Sequence, residues 1–454
     1  MNLSETKLGL TRLLLRLRTN QSEYLGLVKG PLLVKVLGVA LAYLLAIALT
    51  RKFGASAFGL YSICLVILGI ASEISRLGMD YASVKFIPAF LVRNDKSQVS
   101  TYYQKSLLII VALSILASAI LYYSSNSLSL FVFEKPELDI YLKAFAFAIT
   151  PFSIIQYHAQ FTRSFNSAVK STLLTTLLIP AFALLILLFL IQQPNSTFND
   201  IYYVYVLACI ISAAVSFALL QRDFSNNGIS HLDYARKFSI GSVLKVSIPM
   251  FFFQTSLMLT TWTNTLMLGR YSSAEDVAVY SVVVRLAGLS VLVLTTTNTI
   301  FAPKFSSHFA RNDYASMRSE TLKATKLNFW LGLPIQLLLL VSSGILLDLF
   351  GEDFRQGLIP LFVMVGAQIL NSVCGPVTQI LNMANSQVFL SKLTLVLFVF
   401  TVVSNLFLLQ FVEPVLAVTI TIAANYLLLN AVCVLYIKSK WGFSTVYIPG
   451  ARTT

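Results

Sequence analysis

Twelve apolar runs divide the chain, near residues 27–50, 58–77, 102–123, 139–159, 171–191, 200–220, 243–268, 277–300, 327–350, 357–380, 390–411 and 414–437. About 20 apolar residues wound as a helix cross the hydrocarbon core of a bilayer, so each run predicts one transmembrane helix. The links between them are short and polar or basic. The expected fold class is therefore an all-α polytopic membrane protein.

Polar side chains inside such runs are costly, and those that share a helix face are candidates for lining a water-filled path. In the tenth run Gln368, Asn371, Gly375, Gln379 and Asn382 are spaced 3, 4, 4 and 3, which predicts one polar stripe on a continuous helix. The fourth run carries Ser153, Gln156, Gln160 and Arg163 in the same manner. Both stripes fit cavity lining and also fit hydrogen bonding between packed helices. The seventh run is the most polar: Gln254, Thr255, Ser256, Thr260, Thr261, Thr263, Asn264 and Thr265 surround Trp262, with Pro249 near the start. It predicts a cavity wall with hydrogen bonds suited to sugar.

Charges inside the runs are fewer. Gly69, Glu73, Arg76 and Asp80 fall on one face of the second helix, with Arg76 in reach of both acids at i,i+3 and i,i+4. The trio reads either as a self-neutralised structural cluster or as a gating or proton-coupling device. Arg285 sits about eight residues into the eighth run, roughly 12 Å deep at 1.5 Å per residue, with no carboxylate within a helical turn. Its planar fork suits a phosphate; an internal ion pair is the other reading. Lys35 and Lys245 lie near helix ends, where a lysine can reach the headgroups or face a cavity. His158 falls off the polar face of its helix and reads as packed.

Composition agrees with the pattern: 57% of the 454 residues are hydrophobic and 11% are charged, against about 25% charged in soluble domains. The net charge of +14 would suggest nucleic acid in a soluble protein. Here 24 of the 33 Lys and Arg fall in alternate links, 5 in the opposite links and 4 within helices. That asymmetry predicts cytoplasmic termini and a basic face beside anionic headgroups, with no nucleic-acid partner. Residues 1–26, with Lys7, Arg12, Arg16 and Arg18 among leucines, read as a basic amphipathic segment on the membrane or a mobile tail, not as a cleavable signal peptide. Cys64, Cys209, Cys374 and Cys433 all fall in predicted spans, so no disulfide framework follows.

An internal repeat sets the domain plan. An offset of 219 residues pairs Arg51 with Arg270, Tyr61-Ser62 with Tyr280-Ser281, Gly69 with Gly288, Gln160 with Gln379 and Asn166-Ser167 with Asn385-Ser386. Arg93-Asn94-Asp95 and Arg311-Asn312-Asp313 match at 218. The expectation is a lobe at 27–221, a cytoplasmic linker at 222–241, a second lobe at 242–437 and a cytoplasmic tail at 438–454. An even helix count per lobe gives two six-helix bundles related by a pseudo-twofold along the membrane normal.

Arg51, the Gly54 to Gly59 turn with Phe58, Tyr61-Ser62, Gly78 and the Lys85-Phe86-Ile87-Pro88 exit together resemble the start of the Wzx-type oligosaccharide flippases, relatives of the MATE exporters in the MOP superfamily. The resemblance extends over nearly the whole chain. It implies a MATE-like architecture, residence in the bacterial inner membrane, and flipping of a polyprenyl-pyrophosphate-linked O-antigen, capsule or exopolysaccharide repeat unit by alternating access. The implied partners are the lipid-linked glycan, the bilayer, and polysaccharide polymerase and chain-length machinery. The cavity candidates are Arg285, Arg163, Arg76, Lys35, Lys245, Gln254, Asn264, Gln368, Asn371, Gln379 and Asn382. Glu73 and Asp80 are the candidates for coupling to a proton or sodium gradient. The alternative is a MATE-like cation-coupled exporter of small molecules, which would be expected to place uncompensated carboxylates deep in its helices. No phosphate loop, metal helix, Cys-x-x-Cys pair or dinucleotide fingerprint is present, so neither an enzyme nor a bound metal or cofactor is expected.

Overall fold

The computed structural model describes residues 3–191, 200–230 and 239–447, and gives residues 3–29 as a helical path alone. His231, Asp233, Arg236 and Lys237 of the expected linker, and residues 448–454 of the expected tail, lie outside that description. The described residues form α1 (Leu3–Arg76), α2 (Met79–Val92), α3 (Lys96–Ser127), α4 (Leu138–Ser164), α5 (Ala168–Thr172), α6 (Leu178–Ile191), α7 (Asp200–Asn226), α8 (Ile240–Tyr271), α9 (Ala274–Gly288), α10 (Val291–Ala310), α11 (Tyr314–Asp348), α12 (Leu358–Cys374), α13 (Val377–Met383), α14 (Gln387–Leu408) and α15 (Pro414–Trp441).

Among the described residues nine helices are long and apolar enough to cross a membrane, or eleven when the bent pairs Ile240–Ser256 with Met258–Tyr271 and Ala274–Gly288 with Val291–Ala310 each count as one span. The first of the nine, Gly30–Arg76, is 47 residues long. It is broken at Gly54, whose φ of 85° and ψ of 174° are not helical. Each side of that break has length enough for a crossing. Outward-facing side chains such as Leu108, Val341, Ile345 and Val388 are apolar and exposed, the surface a bilayer would cover.

The structure departs from the plain division into runs and links at three places. The second run does not end in a loop at Gly78: Leu77 and Gly78 adopt positive φ of 46° and 71°, and the chain then continues as α2 with Pro88 inside it. A proline late in a short helix removes one backbone bond without stopping the helix. The stretch 124–137 is largely helical, because α3 runs to Ser127 and widens into a π turn at Leu128–Val132. The tenth run is not one helix. It breaks at Gly375 (φ 77°, ψ −162°), followed by Pro376, which cannot donate to the preceding turn. A Cβ at Gly375 would collide with the Thr325 side chain.

The chain divides into two compact units. The first takes the chain up to Ala46, Ile70–Tyr123 and Lys143–Phe251. Its core gathers Met79, Tyr102, Tyr103, Tyr157, Phe161, Leu220, Phe224 and Val243. Tyr103 meets Phe224 edge-on at 5.2 Å and Phe161 at 5.4 Å, the tilted geometry that aromatic quadrupoles favour. The second takes Ile47–Gly69, Ser124–Leu142 and the chain from Phe252, with a core of Phe301, Phe305, Met317, Val377, Leu381, Cys433 and Ile437.

The repeated motifs fold into the same turn. Asn94, Asn166, Asn312 and Asn385 all have positive φ, at 54°, 59°, 55° and 53°. In each turn the next residue's N–H returns to a carbonyl five residues earlier: Asp95 to Phe90, Ser167 to Thr162, Asp313 to His308 and Ser386 to Leu381. This is a left-handed helix cap, which Asn tolerates better than most side chains.

Candidate functional site

The first unit buries an ionic trio. Arg76, at the end of α1, is paired with Glu73 one turn back and with Asp80 in the first turn of α2. The positive-φ pair Leu77-Gly78 is what lets the acid beyond the helix break return to within reach. Arg76 also donates through Nε to the Ser72 carbonyl. The three side chains are almost fully buried, at 1% for Glu73, 6% for Arg76 and 0% for Asp80. Glu73 Oε1 and Asp80 Oδ1 have no hydrogen-bond partner. Two carboxylates thus share one guanidinium, and a buried group of that kind favours holding one further positive charge. The Ser153 hydroxyl on α4 donates to Ser72 Oγ at 3.0 Å, tying the start of the fourth-run stripe to this region. The stripe then surfaces: Gln156 and Gln160 are half-buried and Arg163 is exposed.

His158 belongs to the packing of this unit. It is fully buried, with Nε2 3.2 Å from Tyr103 Oη and Nδ1 2.8 Å from Ser216 Oγ. The Ser216 hydroxyl gives its proton to the Ala213 carbonyl, so Nδ1 donates and Nε2 accepts, the arrangement of a neutral ring.

The second unit holds a polar centre with a different chemistry. A cavity of ≈ 160 Å³ opens between α8, α9, α12, α14 and α15. Its polar lining is Ser256, Thr260, Thr261, Asn264, Tyr280, Thr394, Asn425 and Tyr426, and its apolar lining is Val284, Met364, Leu397, Ile422 and Leu429. Charged side chains are not among these residues. Amides hold the wall in place: Asn405 donates to Asn264 Oδ1 at 2.6 Å, and Asn264 donates to the Thr260 carbonyl at 2.8 Å. Asn425 donates to Thr401 Oγ1 at 2.5 Å. A second chain of amides links α11, α12 and α15, with Asn430 donating to Asn371 at 2.9 Å, Asn371 to Gln368 at 3.1 Å and Gln336 to Ser372 at 3.0 Å.

The other candidates are scattered. Gln368 and Asn371 stay together on α12, but Gln379 and Asn382 lie beyond the Gly375 break on α13, so the expected single stripe is split. Its cause is the Gly375-Pro376 pair. Gln254 is half-buried on α8 outside the cavity lining. Lys35 is half-buried and Lys245 exposed. Arg285 is half-buried, with its guanidinium carbon 5.6 Å from the Phe58 ring centre, a cation–π distance. Its neighbour Val284 lines the cavity, and one residue along a helix turns about 100° away, so Arg285 is not part of that lining.

Sequence reasoning named Asn264, Gln368 and Asn371 but missed Asn405, Asn425, Asn430, Gln336 and Tyr280. The available signal was one or two amides in each mostly apolar run, which periodicity does not score.

A family model described as polysaccharide biosynthesis protein matches residues 31–309, well over half the chain. The chain belongs to that family. Solved structures agree on the fold. A multidrug-resistance MATE family transporter of the MOP superfamily, in an inward-facing conformation, superposes with a TM-score of 0.75 at 14% identity, covering 90% of this chain and 98% of its own. An outward-facing structure described in the same terms gives 0.59 at 14% identity, with 92% and 95% covered. The MATE multidrug transporter DinF-BH gives 0.61 at 17% identity, with 90% and 94% covered. A search of curated proteins finds no sequence match. At these identities the likeness is one of fold, and this polysaccharide biosynthesis protein is a multi-pass membrane protein with a MATE-like fold. Its two polar centres divide the chemistry: the ionic trio can hold charge, and the uncharged cavity can exchange hydrogen bonds with a neutral polar ligand.

Proposed function

We propose that this polysaccharide biosynthesis protein is a flippase that carries a polyprenyl-pyrophosphate-linked oligosaccharide, the repeat unit of an O-antigen, capsule or exopolysaccharide, across the bacterial inner membrane. The observation that carries the reading is the family match over residues 31–309. The uncharged lining of the cavity in the second unit supports it, since an exporter of organic cations would be expected to place a carboxylate where its cargo sits. In this reading the termini are cytoplasmic, as the distribution of Lys and Arg suggests. The two sequence halves act as lobes that alternate access, Arg285 contacts the pyrophosphate, and the lipid tail stays in the bilayer. Glu73 and Asp80, sharing Arg76, are the groups through which a proton or sodium gradient would act. The flipped product passes to polymerase and chain-length machinery. A ligand that bound one state far more tightly than the other would trap the cycle there, so the anion contacts must be of similar strength in both.

The test is surface glycan display in cells that lack the native chain and carry the wild type, Arg285→Ala or Arg285→Lys at equal protein level. The reading expects display only with the wild type and, in part, Arg285→Lys, with lipid-linked repeat unit accumulating otherwise. Full display without any copy of the chain overturns the flippase reading. Full display with both variants removes Arg285 from the path and moves its role to Arg163 or Arg76.

A further inference from the structure

The uncharged cavity between α8, α9, α12, α14 and α15 carries a more specific assignment, which rests on the flippase reading above. We infer that this cavity is a binding subsite for one uncharged sugar ring of the translocated glycan. Its size is the first argument. At ≈ 160 Å³ it is on the scale of cavities of about 150 Å³ that take a single six-membered ring.

The lining is the second argument. A pyranose presents hydroxyls around its edge and C–H groups on its faces. The cavity offers Thr260, Asn264, Thr394 and Asn425 to the one, and Met364 and Ile422 to the other. A metal cation of the usual kind would want a carboxylate among its oxygens, and none lines this space. A lipid tail would leave the Tyr280 hydroxyl unpaired.

The third argument is an open valence. Tyr280 is 2% exposed, and its hydroxyl, which the Asn264 amide approaches, has no protein acceptor for its own proton. A buried polar atom left in this way costs free energy until something pairs with it. The backbone around it is already fixed: the Asn405 to Asn264 to Thr260 relay holds the wall, so a ligand finds its partners in place.

The experiment compares two lipids on the purified full chain in lipid nanodiscs, by native mass spectrometry: a polyprenyl pyrophosphate, and the same lipid bearing one hexose. The wild type is expected to bind the sugar-bearing lipid about tenfold more tightly, the worth of one or two well-made hydrogen bonds. Tyr280→Phe keeps the volume and removes the hydroxyl, and Val284→Phe fills the space. Each is expected to lower the ratio to about twofold or less while the bare lipid binds as before. Tyr280→Phe is the safer variant for folding, and its melting profile is taken alongside. Retention of the tenfold ratio in both variants overturns the inference, as does equal binding of the two lipids by the wild type. Binding of neither lipid overturns the flippase reading and this subsite with it.

Discussion

The two units bury polar groups by opposite means. In the first, the largest cluster of buried charge lies within eight residues of chain, Glu73, Arg76 and Asp80, which satisfy one another across a single helix break, and the buried Asp223 has its own partner in Lys170. In the second, the buried polar groups that tie helices together are neutral amides on α8, α11, α12, α14 and α15, each meeting a group on another helix. A charge far from water must find its counter-charge close by, because an unpaired ion in an apolar medium is among the most costly things a fold can contain. A neutral amide is less demanding. It can be dispersed among helices, and it can leave a space between them for a ligand. The ionic trio is thus closed on itself, whereas the amide wall is open.

The contrast is broken most directly at Arg76. Arg76→Leu strips both carboxylates of their partner and is expected to destabilise the protein by about 3–5 kcal/mol, the usual penalty for breaking a buried pair from one side. The triple change Arg76→Leu, Glu73→Gln, Asp80→Asn removes the charges together and should recover most of the loss. Thermal unfolding in detergent distinguishes these outcomes. A midpoint for Arg76→Leu within about 2 °C of wild type would mean that the carboxylates are protonated or wet, and that the trio is not an ionic device at all.

This comparison also explains what could be read from the chain. The trio was legible because spacing is a local property: 3 residues of helix put Glu73 beside Arg76, and Asp80, four residues on, returns to it across the Leu77-Gly78 break, which the sequence did not show. The four Asn turns were legible as repeated text, and their common left-handed geometry shows what the repetition encodes. The cavity was only half legible. Asn264 stood out in a run crowded with threonines, but Asn405 and Asn425 form no stripe at helical spacing in their runs, and nothing local says which helix they will meet. The expected stripe from Gln368 to Asn382 failed for a local reason that was visible, Gly375 followed by Pro376, overridden by the longer apolar period around it.

In the second unit the expected energies are smaller. A double-mutant cycle of Asn264→Leu and Asn405→Leu should give a coupling of roughly 0.6 kcal/mol and no more than about 1.7, the range found for hydrogen bonds between membrane helices. Measured by the same unfolding assay, a coupling as large as the loss at Arg76 would erase the distinction between the two units. A coupling indistinguishable from zero would mean that the Asn405 amide does not fix Asn264, and the cavity wall would have to be held by packing.

The smallest effect compares the two units at equivalent turns. Asp95 and Asp313 follow the left-handed Asn94 and Asn312 and each caps the next helix, Asp95 accepting from the Gln98 N–H at 3.2 Å and Asp313 from the Ser316 N–H at 3.0 Å. The hydrogen bonds from Ser316, with His308 and Arg311 nearby, hold the Asp313 carboxyl below the usual carboxylate range. A carboxyl depressed by folding contributes stability that is present above its unfolded value and is lost as pH falls through its folded one. Asp313→Asn keeps an acceptor for the Ser316 N–H and cannot titrate, so it should be slightly less stable than wild type at neutral pH and should lose less on acidification. The melting midpoint followed from pH 7 downward reads the difference. Parallel curves for the two proteins would show that the carboxylate charge adds nothing to this cap, and that hydrogen-bond geometry alone, which Asn also supplies, fixes the turn in both halves of the repeat.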